Sequence, residues 1–303
     1  MGSGNWSADA YSHVSKARGH LDKGAIFTKT AMTPDMDPAK MTVRESRDNP
    51  DHPESNAVIV AFDVTGSMGE IPAYFAKQAL GTLMDDLLKK QPVKDPQLLV
   101  AAVGDANCDR YPLQVGQFES DNRVDGDLTK IVLEGGGGGQ DKESYGLAYH
   151  FAGMHTSIDC FEKRSTKGFL FTVGDEKPWP TLPRDHIATV FGTTPEADVD
   201  LRDAIKGAQR LYEVFHIVCA SGSYPTDRNV SAWREYLGER VLTLEDYHAL
   251  AELIITTIGL CRGMSKDAAT AGFSAKTTEL VLKSGIANLP ATVPTGGSGI
   301  AIL

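Results

Sequence analysis

Short, uninterrupted apolar runs punctuate the middle of the chain and alternate with amphipathic stretches. AVIVAFDV (57–64) is rich in β-branched residues and closes on an Asp, the pattern of a parallel strand buried on both faces that reaches its carboxyl edge. LLVAAVG (98–104) and EVFHIVCA (213–220) repeat the run, LQVGQF (113–118) is a shorter version, and KGFLFTVGD (167–175) again ends in an acid. Ile71, Phe75, Ala79, Leu83 and Leu87 recur every four positions, which marks one stripe of a helix over 70–90 that closes on Lys89 and Lys90. Further helices are predicted over 124–133, 144–155, 197–211 and 245–261, the last stopped by Gly263. This alternation predicts an α/β fold, a doubly wound, mostly parallel sheet flanked by helices, with ligands bound beyond the carboxyl ends of the strands. Asp63 and Asp175 then share one edge of one sheet.

Residues 1–55 and 263–303 lack the rhythm. The first segment is polar and rich in Asp and Pro, and the second ends in NLPATVPTGGSGIAIL. The expected division is an N-terminal extension (1–55), one domain (56–262) and a C-terminal extension or tail (263–303), the two ends acting as extensions or flexible arms. No apolar run approaches the roughly 18 residues that span a bilayer, so membrane insertion is not expected. The N-terminus has no continuous apolar stretch of the secretory kind, and the expected compartment is the cytoplasm. The 4 cysteines are far apart with no C-x-x-C pair, which fits small buried hydrophobes in a reducing compartment. A net charge of −10 without any Lys/Arg cluster argues against a nucleic-acid partner.

Asp63-Val64-Thr65-Gly66-Ser67 sets a carboxylate and two hydroxyls at alternate positions on a strand-to-helix loop, where all three can face one concavity. Oxygen donors with few carboxylates suit a hard cation such as Mg²⁺, which retains waters and leaves room for an incoming carboxylate. The same residues can equally cap the following helix. DNRVDGD (121–127) is not a calcium loop, because Arg123 and Val132 fall where ligands are required. The glycine run 135–139 lacks a following G-K-[ST] and so is no phosphate cradle.

The DVTGSM loop after an apolar strand resembles the metal-ion-dependent adhesion site (MIDAS) of von Willebrand factor A (VWA) domains. The blocks GDANCDRYPLQVGQFESD (104–121), EGGGGGQDKESYGLAYHFAGM (134–154) and GFLFTVGDEKPWP (168–180) look like those of alpha-kinase-type and integrin β-type A domains, in their usual order. The resemblance covers about residues 56–262 and implies a Rossmann-like fold. Carried over by position, Glu143 matches the glutamate that follows a Gly-rich loop in integrin β-type domains, with Gln140 and Asp141 as substitutes. Asp175 matches the aspartate after the fourth strand. The implied metal set is Asp63, Thr65, Ser67, Glu143 and Asp175, holding Mg²⁺, with Mn²⁺ or Ca²⁺ as alternatives. Read without the resemblance, Glu143 is a solvated residue in a helix's first turn and Asp175 a turn residue before Pro178. The implied function is metal-dependent protein–protein recognition, in which a partner's Asp or Glu completes the shell. By analogy the role is an intracellular adaptor or assembly factor, for instance with an AAA-type ATPase or a kinase system.

No nucleophile elbow, H-E-x-x-H or Walker A motif is present, so no enzyme is expected. Two alternatives stay open. One is a Mg²⁺-dependent hydrolase or phosphoryl-transfer enzyme in which Lys142 and Lys177 clamp a phosphate; the other is a metal-free scaffold. Asp105 and Asp109 either line a second cation site or cap a turn, and Trp179 and Tyr111 either rim the site or pack. His216 reads as a core residue, and His150 and His155 as side chains that do not share a helix face.

Overall fold

The computed structural model describes residues 2–135, 141–220 and 226–289. Six strands form the main sheet: β1 Asn56–Asp63, β2 Pro96–Val103, β3 Leu113–Val115, β4 Gly168–Gly174, β5 Tyr212–Cys219 and β6 Val241–Leu244. Their spatial order is β6-β5-β4-β1-β2-β3. All neighbouring pairs are parallel except β2 with β3. Every position of β1, β2 and β4 is buried, as the continuous apolar runs require of central parallel strands. LQVGQF provides only the short antiparallel edge strand β3, where Val115 N turns outward to Met36 O while Gly116 N still bonds Val100 O of β2.

Among the described residues, the helices of eight residues or more are α1 Ala8–Arg18, α2 Leu80–Lys90, α3 Arg123–Lys130, α4 Gly146–Met154, α5 Arg184–Phe191, α6 Leu201–Leu211, α7 Thr226–Leu237, α8 Leu250–Cys261 and α9 Ala275–Lys283. They cover both faces of the sheet. Val58, Val60 and Phe62 share a core with residues of α1, α2, α3, α8 and α9. Ala57, Ile59 and Ala61 point the other way, into a core with α4, α5, α6 and α7. This division follows from the period of two along a strand. No described helix is long and apolar enough to cross a membrane.

The stripe over 70–90 is realised with one irregularity: a turn at Ile71–Tyr74 and a π turn at Phe75–Ala79 precede α2. Side chains of α1 reach this irregular stretch. Tyr11 Oη donates to Ala76 O at 2.9 Å and Arg18 Nη1 to the same carbonyl at 3.2 Å. Tyr11, Ile26, Phe27 and Met36 are buried in the same core as β1, so the segment before residue 56, expected as an arm, packs on the sheet unit. On the other side, Val281 and Ile286 join that core and Thr243 N donates to Ser284 O at 2.8 Å.

α4 and α6 cross closely. A Cβ built on Gly153 would lie 2.8 Å from Gly207 C and 2.9 Å from Ala208 N, whereas one built on Gly207 meets nothing within 4 Å. Gly153→Ala should therefore destabilise by roughly 1–3 kcal/mol through overpacking. Gly207→Ala should be neutral or gain up to about 1 kcal/mol of helix propensity. Denaturant midpoints of the two variants at unchanged m-value check the contrast, and equal effects would refute the close crossing.

Candidate functional site

The sheet's strand order runs in opposite directions on either side of the β1/β4 pair, and this is where an open α/β sheet leaves a crevice beyond its carboxyl ends. Asp63 is the last residue of β1, and Asp175 directly follows β4. Both are buried, Asp63 completely.

Asp63 is held at both oxygens. Its Oδ1 accepts the Thr65 N–H at 2.8 Å and the Thr65 hydroxyl at 2.6 Å, while Oδ2 accepts the Tyr145 phenol at 2.9 Å. Bonding to the backbone two residues on is the Asx turn that short acidic side chains favour. Thr65 stands at the N-cap of the following turn Gly66–Met68 but makes no side-chain capping bond. Its hydroxyl lies 3.2 Å from Ser67 Oγ, and Ser67 Oγ donates to Asp175 Oδ1 at 2.8 Å. Asp63, Thr65, Ser67 and Asp175 thus form one contiguous run of oxygens, with Thr65 donating to Asp63, Ser67 donating to Asp175 and the two hydroxyl oxygens in contact between them.

The backbone after β4 is fixed from α7. Asn229 Nδ2 donates to Asp175 O, and Trp233 Nε1 donates to Glu176 O at 2.9 Å. Glu143 approaches from the other side in a two-residue parallel bridge, Lys142–Glu143 beside Lys177–Pro178, and its carbonyl accepts Trp179 N at 3.2 Å. It is buried rather than solvated, and it precedes the start of α4. The substitute Asp141 pairs instead with Lys177, and Gln140, like 136–139 of the glycine run, lies outside the described residues.

Two members of the site carry no sequence signal of their own. Glu176 is buried, with its carboxyl within hydrogen-bonding reach of Glu143 and Ser67. Tyr145, two residues after Glu143, reaches Asp63 only because position 174 is glycine: a Cβ there would sit 1.8 Å from the Tyr145 Oη. The Oε2 atoms of Glu143 and Glu176 are buried without a hydrogen-bond partner. Among the described residues, no group of three or more His, Cys, Asp or Glu side chains is placed to hold a metal ion.

The remaining candidates resolve differently. Asp105 Oδ1 accepts Asn107 Nδ2 at 2.7 Å, Trp179 Nε1 at 3.0 Å and Ser144 Oγ at 3.2 Å, and Asp109 Oδ2 accepts Asp105 N at 2.7 Å. These are loop-fixing bonds. Tyr111 N donates to Glu134 at 2.7 Å, away from Asp63 in the bonding pattern. His216 is a core residue bonded through Nδ1 to Thr172 at 2.8 Å and stacked on Trp233. His150 and His155, expected apart, have ring centroids 5.8 Å from each other and both pack on Phe191, because His155 is the C-cap residue beyond the end of α4.

Burial of Asp63, Glu143 and Glu176 close together raises each of the three. Asp63 is pushed up to about 7, by burial first, against the opposing Thr65 bonds, and by the Asp175 charge. Burial followed by the charges of Asp63 and Asp175 lifts Glu176 to about 8. Glu143 is raised further, again by burial and then by Asp63 and Glu176. In chelator, the folded chain therefore keeps protons on these acids that the unfolded chain releases. Their stabilising contribution is full below about pH 4, the ordinary carboxylate range. It is lost as pH rises through about 7 for Asp63 and about 8 for Glu176. Denaturant midpoints in EDTA should fall between about pH 5 and 8, with a shallower fall in Asp63→Asn. A flat or rising profile in the unmutated chain would rule out the argument.

No protein-family model matches the chain. Nor does any curated protein sequence. Among solved structures, the proximal thread matrix protein 1 of the mussel byssus is similar at 12% identity over 67% of this chain and 47% of that one, with a TM-score of 0.43. The pilus adhesin SpaC of Lactobacillus rhamnosus GG, in an open conformation, is similar at 8% identity over 80% of this chain and 31% of that one, also with a TM-score of 0.43. The chain thus spans less than half the length of either.

Proposed function

We propose that the chain is a doubly wound, VWA-type recognition domain that grips a carboxylate of a partner protein through a divalent cation. The observation that carries this reading is the bonded oxygen set Asp63–Thr65–Ser67–Asp175 at the point where the strand order reverses. Its donors are all hard oxygens, the type that Mg²⁺ and Mn²⁺ take, and the Oε2 atoms of Glu143 and Glu176, buried without a hydrogen-bond partner, are further oxygens that a cation arriving in place of a proton would satisfy. Asp63, Thr65, Ser67, Glu143 and Asp175 would hold the ion. Asp63 also fixes the loop, accepting the Thr65 N–H, the Thr65 hydroxyl and the Tyr145 phenol. When bound, the cation supplies a Lewis-acidic position that an Asp or Glu of the partner completes.

Recognition is preferred over phosphoryl transfer because the two lysines do not form a free phosphate clamp, Lys177 being neutralised by a carboxylate. Lys177 pairs with Asp141, and the Lys142 ammonium stands 4.6 Å from the centroid of the Trp179 ring. Buried Cys160 and Cys219, neither in a disulfide, accord with a role in the cytoplasm. An adaptor acting with an AAA-type ATPase or a kinase system is the assembly role this reading favours.

Thermal unfolding in EDTA against excess Mg²⁺ or Mn²⁺ tests the proposal. A ligand at about 100 times its Kd stabilises by roughly 2.7 kcal/mol, so the midpoint should rise by several degrees in the unmutated chain and stay fixed in Asp63→Asn. A rise of equal size in both proteins, or in neither, would sink the metal-dependent reading and leave a metal-free scaffold.

A further inference from the structure

A pocket of about 240 Å³ opens beside the acid cluster, walled by Ala106, Leu147, Trp179, Leu182 and Pro183 with Ser144 on its polar edge. This is below the roughly 300–1,000 Å³ of clefts that hold a free small-molecule ligand, and it suits a single large side chain. Its wall is bonded to the candidate site at several points. Trp179 N donates to Glu143 O at 3.2 Å, and Trp179 Nε1 donates to Asp105 Oδ1 at 3.0 Å. Ser144, which follows Glu143, accepts Ala106 N at 2.9 Å. The pocket and Glu143 therefore belong to one bonded unit. Charge points the same way. The Lys142 ammonium over the Trp179 ring places a positive group at the aromatic wall, complementary to an acidic segment.

Resting on the recognition reading above, we infer that this pocket is the specificity subsite: it seats one aromatic or branched aliphatic side chain that the partner carries at a fixed offset from its cation-bound carboxylate. The partner's binding motif is thus an acidic residue with an apolar anchor nearby, rather than an acidic residue alone. Full burial of such a side chain favours binding by roughly ten- to a hundredfold over a small polar one.

The test presents the full chain to a bead-bound library of heptapeptides with one fixed central Asp and all other positions varied, in Mn²⁺ and in EDTA. Ala106→Phe, which fills the pocket and keeps the Ala106 N–H bond to Ser144, is run in parallel, with Pro183→Ala as a second variant. The expected result is Mn²⁺-dependent retention, with aromatic or branched aliphatic residues enriched roughly tenfold or more at one offset from the Asp. Ala106→Phe should keep Mn²⁺-dependent retention but lose that enrichment, and Pro183→Ala should broaden it. Mn²⁺-dependent retention without apolar enrichment, or enrichment unchanged in Ala106→Phe, overturns the subsite while the recognition reading stands. Absence of Mn²⁺-dependent retention in the unmutated chain overturns both.

Discussion

A carboxylate withdrawn completely from water must find its partners inside the protein, and Asp63 is placed in that position by a strand with no exposed residue. Much of the surrounding architecture answers to it. The backbone turns immediately after β1 so that Thr65 can bond to Oδ1, and α4 begins directly after Tyr145, whose phenol reaches Oδ2. The Thr65 and Ser67 hydroxyls then extend the network to Asp175, which joins the ends of β1 and β4. α7 secures the far side through the carbonyls of Asp175 and Glu176. The result is a set of acidic groups whose mutual repulsion is maintained by burial, a state that costs stability unless a positive charge or a proton is present.

The parallel strands are legible in the sequence because burial on both faces leaves only one kind of side chain possible. The runs at 57–64, 98–104, 167–175 and 213–220 become β1, β2, β4 and β5 with ends displaced by a residue or two. Elements with weaker patterns are not legible. β6 is four residues long, too short for a run to stand out. α7 buries Asn229, Trp233 and Leu237 at a spacing of four, and the stripe is masked because its first member is an amide spent on the Asp175 carbonyl. The N-terminal segment contributes Tyr11, Ile26, Phe27 and Met36 to the core, spaced by no regular period, so that a stretch of the sheet's cover reads as polar linker.

The candidate site divides along the same line. Asp63, Thr65 and Ser67 are legible because they lie on one loop at alternate positions, and Asp175 because an apolar run points to it. Glu143 was reached only through resemblance, since nothing local distinguishes it from a solvated helix-start residue, and its burial follows from a bridge to a segment more than thirty residues away. Glu176 and Tyr145 escape any such reading. Their roles come from a carboxyl turned back toward Ser67 and a phenol crossing to a strand end, both matters of tertiary placement.

The bare Cα of Gly174 beneath the Tyr145 phenol has a consequence for how this sequence can diverge. Positions 145 and 174 behave as a single heritable unit. A side chain gained at 174 evicts the phenol, and a phenol lost at 145 leaves Asp63 one donor short and a gap beneath it. Substitution of either one alone costs a clash or a lost donor, whereas a paired change avoids the clash. The two positions are therefore coupled through space, although they lie 29 positions apart in the chain.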